Sequence, residues 1–308
     1  MDNRNNIQDR IFRIMTALSA GAVVLVVVGI FFELVTGSLA AMKEFGFGFL
    51  FSQEWNPVTQ QFGALSSIYG TLLSTGIAMV IAIPMSLIIA LFLVELAHPR
   101  VSQLVGGAIE LLAAIPSIIY GMWGLFIFAP FMSNYIQPFI NRWAGDFPLF
   151  TGPPMGIGML TAGIILALMI LPFVTSVTRD VFQMVPDVVK ESAYGLGATT
   201  WEVTGQVTVR HGLMGIVGAS FLGLGRAIGE TMAVTFVIGN THRISPSLFA
   251  AGNSIASTLA NEFTEAAEDL YLSALIELGL VLFVITFFIQ LFAQIWLERT
   301  RRKMGFSK

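Results

Sequence analysis

Six stretches of this sequence are apolar over roughly 20 residues or more, and they constrain the fold more than any other feature of the chain. They run over about 14–36, 68–96, 104–131, 156–178, 213–238 and 270–296. In hydrocarbon every backbone amide and carbonyl must bond within the protein, so only helices and closed barrels cross a bilayer, and these runs are too long for barrel strands. The fold class that follows is all-α, a polytopic membrane protein with six transmembrane helices. Composition agrees: 55% of the 308 residues are hydrophobic and 11% are charged, against about 25% charged in soluble domains. The first run is preceded by Arg4, Arg10 and Arg13 and followed by a weak signal-peptidase pattern, "SLA". It is longer than the ~7–15 apolar residues of a signal peptide and reads as a retained helix.

An even number of crossings puts both termini on one side. Placing the termini, 97–103 and 179–212 together gathers Arg4, Arg10, Arg13, Arg100, Arg179, Lys190, Arg210 and the basic tail from Arg299 there. The other side receives only Lys43, Arg142 and Arg243, so the positive-inside rule makes both termini cytoplasmic. Connections on that other side are aromatic or acidic. "KEFGFGFLFSQEWNPV" at 43–58 reads as interfacial, and "NEFTEAAEDL", with Glu262, Glu265, Glu268 and Asp269, reads as a solvated helix start with no assigned chemistry. Glu33, Glu95 and Glu277 lie near the ends of apolar runs and read as interfacial too.

Several function classes are excluded. The absence of cysteine removes disulfides, thiolate metal sites and cysteine nucleophiles, and His98, His211 and His242 show no ligand spacing. No phosphate-binding loop is present, and "GLGRAIG" follows no strand, so it is no dinucleotide fingerprint. The connection 179–212 is too short for a nucleotide-binding fold. The chain is therefore expected to be no enzyme, to bind no cofactor, metal or nucleic acid, and to draw energy from elsewhere.

Two segments carry the chemistry. The loop 179–212 predicts a short helix from Asp187, which can cap it, ended or kinked by Gly195 and Gly197, then a second amphipathic segment from about Thr199. Small residues at Ala193, Gly195 and Gly197 let another backbone approach, and such a hairpin suits a groove on a partner. The second segment is "FLGLGRAIGETMAVTFVIGN" at 221–240, where Arg226 and Glu230 stand in an apolar run. A charge at the bilayer centre costs about 2.5–3.5 kcal/mol on insertion scales, so both require a reason. At i and i+4 they share a helix face and can pair, either as a structural ion pair or as an anion-handling couple in which the guanidinium fork takes the anion and the carboxylate releases it. Gly225 and Gly229, flanking the pair, predict close packing against another segment. Glu110, shortly before Pro116, is the remaining intramembrane carboxylate of interest.

"ESAYGLGATTWEVTGQV" resembles the E-A-A-x-x-x-G loop of the permease subunits of bacterial ABC importers, with Glu191, Ala193 and Gly197 at its principal positions. Ser192 stands where Ala is usual, and Val207-Thr208-Val209-Arg210 replaces the closing I-x-L-P. "GLGRAIGETMAVTFVIGN" is similar to the signature of the phosphate-specific permeases of that family, as are "ELLAAIPSIIYGMWGLF" at 110–126, "FGFGFLFSQEWNPV" at 45–58 and "IASTLANEFTEA" at 255–266. The resemblance implies a type I importer permease fold in the bacterial inner membrane and ATP-driven import of inorganic phosphate. It also implies a second permease, a pair of ATPases that hold ATP and Mg, and a periplasmic phosphate-binding protein as partners, besides membrane lipid. It further implies that the 187–197 loop docks on the ATPase and that Arg226 and Glu230 are linked to transport. The organisation expected is an N-terminal segment 1–67, a permease core 68–296 and a basic tail 297–308. Charge chemistry alone leaves other readings open: an ion-coupled transporter with Glu110, Arg226 and Glu230 as a proton relay, a molybdate or sulfate permease, or a non-transporting scaffold.

Overall fold

A computed structural model describes residues 3–145 and 147–303. Among the described residues six helices are long and apolar enough to cross a membrane: Asp9–Gly37, Leu65–Leu96, Ser117–Ala144, Met159–Gln183, Thr200–Ile228 and Asp269–Thr300. No strand occurs among the described residues, only isolated bridges such as Asn56 with Gln61. Four of the six spans fall where hydropathy puts them. The third and fifth are built differently, each as two helices in series.

In the third crossing a helix Pro99–Ala113 stops, Pro116 takes an extended ψ of 140°, and a second helix begins at Ser117. Proline lacks the amide that a continuous helix needs and disfavours helical geometry in the residue before it. The second helix continues without pause to Ala144 and is the apolar stretch of this crossing long enough to span a bilayer. Gly106 lies under the Arg179 guanidinium at one end of the fourth span, Gly124 against Ile165 near the other, and Gly156, just before that span, abuts Ala129. Residues 106–129 thus run alongside the fourth span, but the helix long and apolar enough to cross is Ser117–Ala144, displaced toward the C-terminus from the run 104–131 that hydropathy picks out. In the fifth crossing the helix ends at Ile228 and a short helix Met232–Ile238 completes the passage, with the Val237 carbonyl accepting from Gly158.

The centre of the bundle is the second span against the fourth. Gly70, Ser74, Ala78, Ala82, Ser86 and Ala90 recur every fourth residue on the second span, and all are buried. Four residues is just over one helical turn, so they form one continuous stripe of small side chains that lets the backbones close in. Across it lie Ala162, Ile165, Leu166, Met169 and Ile170, with the Ser86 hydroxyl donating to the Leu171 carbonyl at 3.1 Å. Pro84 and Pro172 sit inside these two helices. The first span packs on the sixth, where Phe31 meets Phe283 at 5.6 Å, and its membrane window is otherwise uncovered.

Contacts sort the connections into two ends. Gly37, Ala41, Ser273, Ser67 and Asn253 gather at one, which is rich in aromatic residues. Glu95, Phe182, Lys190 and Thr208 gather at the other, which holds the 179–212 connection. The first span ends and the sixth begins at the aromatic end, so the opposite ends of these two helices, toward Asn3 and Lys303, lie at the basic end.

Candidate functional site

The fifth crossing is interrupted at Gly229, Glu230 and Thr231. Arg226 occupies the last turn before this gap, near mid-depth, with its guanidinium 5.9 Å from the ring centroid of Phe173 in the middle of the fourth span. The i, i+4 geometry anticipated for Arg226 and Glu230 does not form, because the helix ends at Ile228. Among the described residues no ion pair joins them. Glu230 instead turns to the following helix, where its Oε1 accepts from the Ala233 amide at 3.2 Å. Arg226 is exposed, and among the described residues no carboxylate pairs with it. Such a guanidinium presents an open fork to an oxyanion.

The flanking glycines divide their roles. A Cβ on Gly225 would stand 2.4 Å from Gln290 Nε2 of the sixth span, so that glycine does serve close packing. Gly229 meets almost nothing; it sits at the interruption and helps line a cavity of about 590 Å³ together with Thr231, Met232, Glu33 and Ile276. The short helix Met232–Ile238 packs on the third crossing just beyond its own break, where Gly121 contacts Met232 and Phe236. The two discontinuities are thus neighbours within the bundle. Glu110 is remote from Arg226 in role: it is 64% exposed and pairs with Arg179 at 3.7 Å, near the basic end. Arg226, Glu230 and Glu110 are not brought into one cluster.

At the basic end the hairpin forms as its sequence predicts, with one change. Pro186, not the Asp187 side chain, precedes the helix Asp187–Gly195, and Asp187 makes no side-chain cap but sits in the first turn, where a carboxylate complements the helix dipole. Leu196 follows, then Gly197 in the left-handed region at φ 86°. Thr199 and Glu202 close a reciprocal capping box that starts the next helix. That helix widens over Val203–Val209 and runs without pause into the fifth span. Glu191 and Gly195 are exposed and Ala193 is half-buried. Around them Leu196 is 91% and Trp201 85% exposed, beside exposed Met184, Val188 and Tyr194. Apolar side chains clustered this way on a basic, water-facing end mark a protein-binding surface.

Three acidic residues read as interfacial or solvated are packed against partners or buried instead of open to solvent. Glu95 is buried, bonded to Lys190 of the hairpin at 2.7 Å and to the Thr208 hydroxyl at 2.8 Å. Glu277 is 6% exposed, with Oε2 unpartnered, two turns inside the sixth span. Glu262 accepts from Tyr271 at 2.9 Å and from the Trp55 indole, and meets His242 Nε2 at 2.9 Å. His242 stacks on Trp55 at 5.3 Å and takes the Asn253 amide on Nδ1 at 2.9 Å, which leaves Nε2 as the donor to Glu262. Asn253 goes on to Ser67 at 2.6 Å and Thr258 at 3.1 Å. This clamp ties the segment after the first span to the one after the fifth. Glu262→Ala is expected to strand three donors and lower stability by roughly 2 kcal/mol, read as a lower unfolding midpoint of the detergent-solubilised chain.

The chain is thus a helical bundle of six crossings with an interrupted fifth span and an exposed apolar hairpin at its basic end. Residues 64–302 match the family described as binding-protein-dependent transport system inner membrane component. The chain belongs to that family. It is 54% identical over 301 residues to the phosphate transport system permease protein PstC of Mesorhizobium japonicum, covering 96% of this chain and 92% of that protein. PstC of Pasteurella multocida is 50% identical over 305 residues, covering 98% and 95%. A probable PstC from Methanocaldococcus jannaschii is 35% identical, covering 91% and 92%. Among solved structures, a chain of a bacterial ABC transporter that imports the acidic polysaccharide alginate superposes with TM-score 0.63 at 16% identity over 96% of this chain and 99% of that one. A chain of the MetNI methionine ABC transporter gives 0.58 at 16%, over 80% and 99%. The fold is that of type I ABC importer permeases.

Proposed function

We propose that this chain is the permease subunit of an ATP-driven importer of inorganic phosphate in the bacterial inner membrane, with both termini cytoplasmic. The chain performs no covalent chemistry; ATP and Mg belong to a partner ATPase. The observation that carries the reading is Arg226, a guanidinium with no ion pair among the described residues, beside a gap in the fifth crossing, in a chain whose relatives are phosphate transport permeases. Phosphate oxygens match the two parallel donors of that fork. The basic end, with its exposed hairpin, faces the cytoplasm and takes the ATPase. The expected partners are a second, PstA-like permease, two PstB-like ATPases and a periplasmic PstS-like binding protein.

Uptake of labelled phosphate into right-side-out vesicles loaded with ATP tests this. It is expected to require ATP and the binding protein, to persist when the proton gradient is collapsed, and to resist competition by molybdate or sulfate; gradient dependence without ATP dependence overturns it in favour of ion coupling. The hairpin is tested separately. A Cβ on Gly197 meets nothing within 4 Å, so a bulky residue there strains only the left-handed backbone, by about 1–2 kcal/mol, and obstructs whatever approaches. Gly197→Leu or Glu191→Arg should reduce co-purification of the ATPase at least tenfold with the chain still folded.

A further inference from the structure

The hairpin is joined to the fourth and fifth spans by the chain itself, since it leaves the one at Gln183 and enters the other at Thr200. It has no covalent link to the second span, which holds the small-residue stripe at the centre of the bundle. The Lys190–Glu95 pair supplies that link. Lys190 Nζ donates to Glu95 Oε1 at 2.7 Å, and the Thr208 hydroxyl donates to the same oxygen at 2.8 Å. The side chains of Lys190 and Glu95 are 14% and 6% exposed, and Thr208 is fully buried.

One oxygen thus ties together the docking helix, the end of the second span and the base of the fifth. The docking helix Asp187–Gly195 has no fully buried residue, so it lies on the bundle instead of within it, and Lys190 is its polar anchor. Glu95 belongs to a widened turn, Phe92–Leu96, that ends the second span. Departures of this kind from the regular ladder recur at working positions of helices. Leu91, Val94, Val209 and Phe182, on the same elements or next to them, belong to one apolar cluster at this end of the bundle. In such surroundings a charge pair has strict geometry, and sliding it apart leaves both charges uncompensated. Apolar contacts alone would let the helices slip.

We propose that Lys190 and Glu95, steadied by Thr208, are positioning residues for energy coupling: the joint through which movement of the docked hairpin is imposed on the second span. The inference rests on the docking reading above. The test uses the assembled complex in proteoliposomes, with the phosphate-binding protein present, and counts phosphate imported per ATP hydrolysed. Lys190→Met and Glu95→Gln are expected to keep the ATPase bound and hydrolysing while phosphate per ATP falls about tenfold. Lys190→Arg, which keeps the charge, should restore most of it. The double variant Glu95→Gln/Lys190→Met leaves no lone buried charge, so it covers the case in which a single variant fails to fold, and it should assemble yet stay uncoupled. Unchanged phosphate per ATP in the assembled Lys190→Met complex, or failure of the double variant to assemble, overturns the proposal while sparing the docking reading. A wild-type chain that holds no ATPase overturns both.

Discussion

Arg226→Gln is expected to lower phosphate uptake by at least about a hundredfold, with the complex still assembled. Two charge-assisted hydrogen bonds to an oxyanion, each about 1.5–3 kcal/mol, vanish with the guanidinium, and each 1.4 kcal/mol is a factor of ten. The fold loses much less. The interaction with Phe173 at an exposed site is about 0.5–1 kcal/mol, and no carboxylate is left stranded, because none pairs with Arg226 among the described residues. Arg226→Lys should recover only part of the uptake, since an ammonium keeps the charge but not the planar fork. Assembly is read by co-purification and uptake with labelled phosphate. Normal uptake by the glutamine variant would sink the anion-path role, and loss of assembly would return Arg226 to a structural part.

Gly70→Val is expected to prevent stable folding, whereas Gly76→Val on the same helix is expected to be tolerated. A Cβ at Gly70 would stand 1.7 Å from the Asn253 carbonyl oxygen and 2.7 Å from Met159 Cε. The carbonyl cannot retreat readily: Asn253 is fastened through its side chain to Ser67, Thr258 and His242, and the next residue caps the helix Ile255–Glu262. Overpacking a closed core costs about 1–3 kcal/mol, more when backbone must shift, and valine here has to displace backbone. At Gly76 a Cβ meets nothing within 4 Å, so only a weak change in helix propensity remains. Thermal-unfolding midpoints of the two purified variants, measured in one detergent, check the contrast. Equal midpoints would show that the stripe is not tightly packed.

The six crossings were legible because hydropathy sums over a window, and the bilayer sets that window's length. The same averaging hides an interruption. "AIPS" and "AIGET" both lie inside runs that remain apolar on either side, so the gaps at 114–116 and 229–231 change the mean very little. Pro116 signalled a bend but not that the helix would restart as a separate element. The Arg226–Glu230 pairing failed for this reason: spacing of four means proximity only while the helix lasts. The hairpin was legible from Asp187, Gly195, Gly197 and the amphipathic start near Thr199, which act locally, although the cap came from Pro186 and the Thr199–Glu202 box instead of Asp187. Partners distant in sequence were not. Nothing around Glu95 names Lys190, and nothing in the acidic run at 262–269 singles out Glu262 as the residue that Trp55, His242 and Tyr271 enclose. The stripe from Gly70 to Ala90 was present in the sequence as a four-residue rhythm of small residues, a signal of helix contact independent of hydropathy.

The Glu262 clamp has a mechanical corollary for the fifth crossing. Its far portion, Met232–Ile238, leads directly into the loop that His242 fastens, whereas its near portion is continuous with the hairpin. One half is moored, and three residues outside any helix separate it from the other. On the proposed docking, torque reaching the near half from a bound ATPase should be absorbed at those three residues as a swivel.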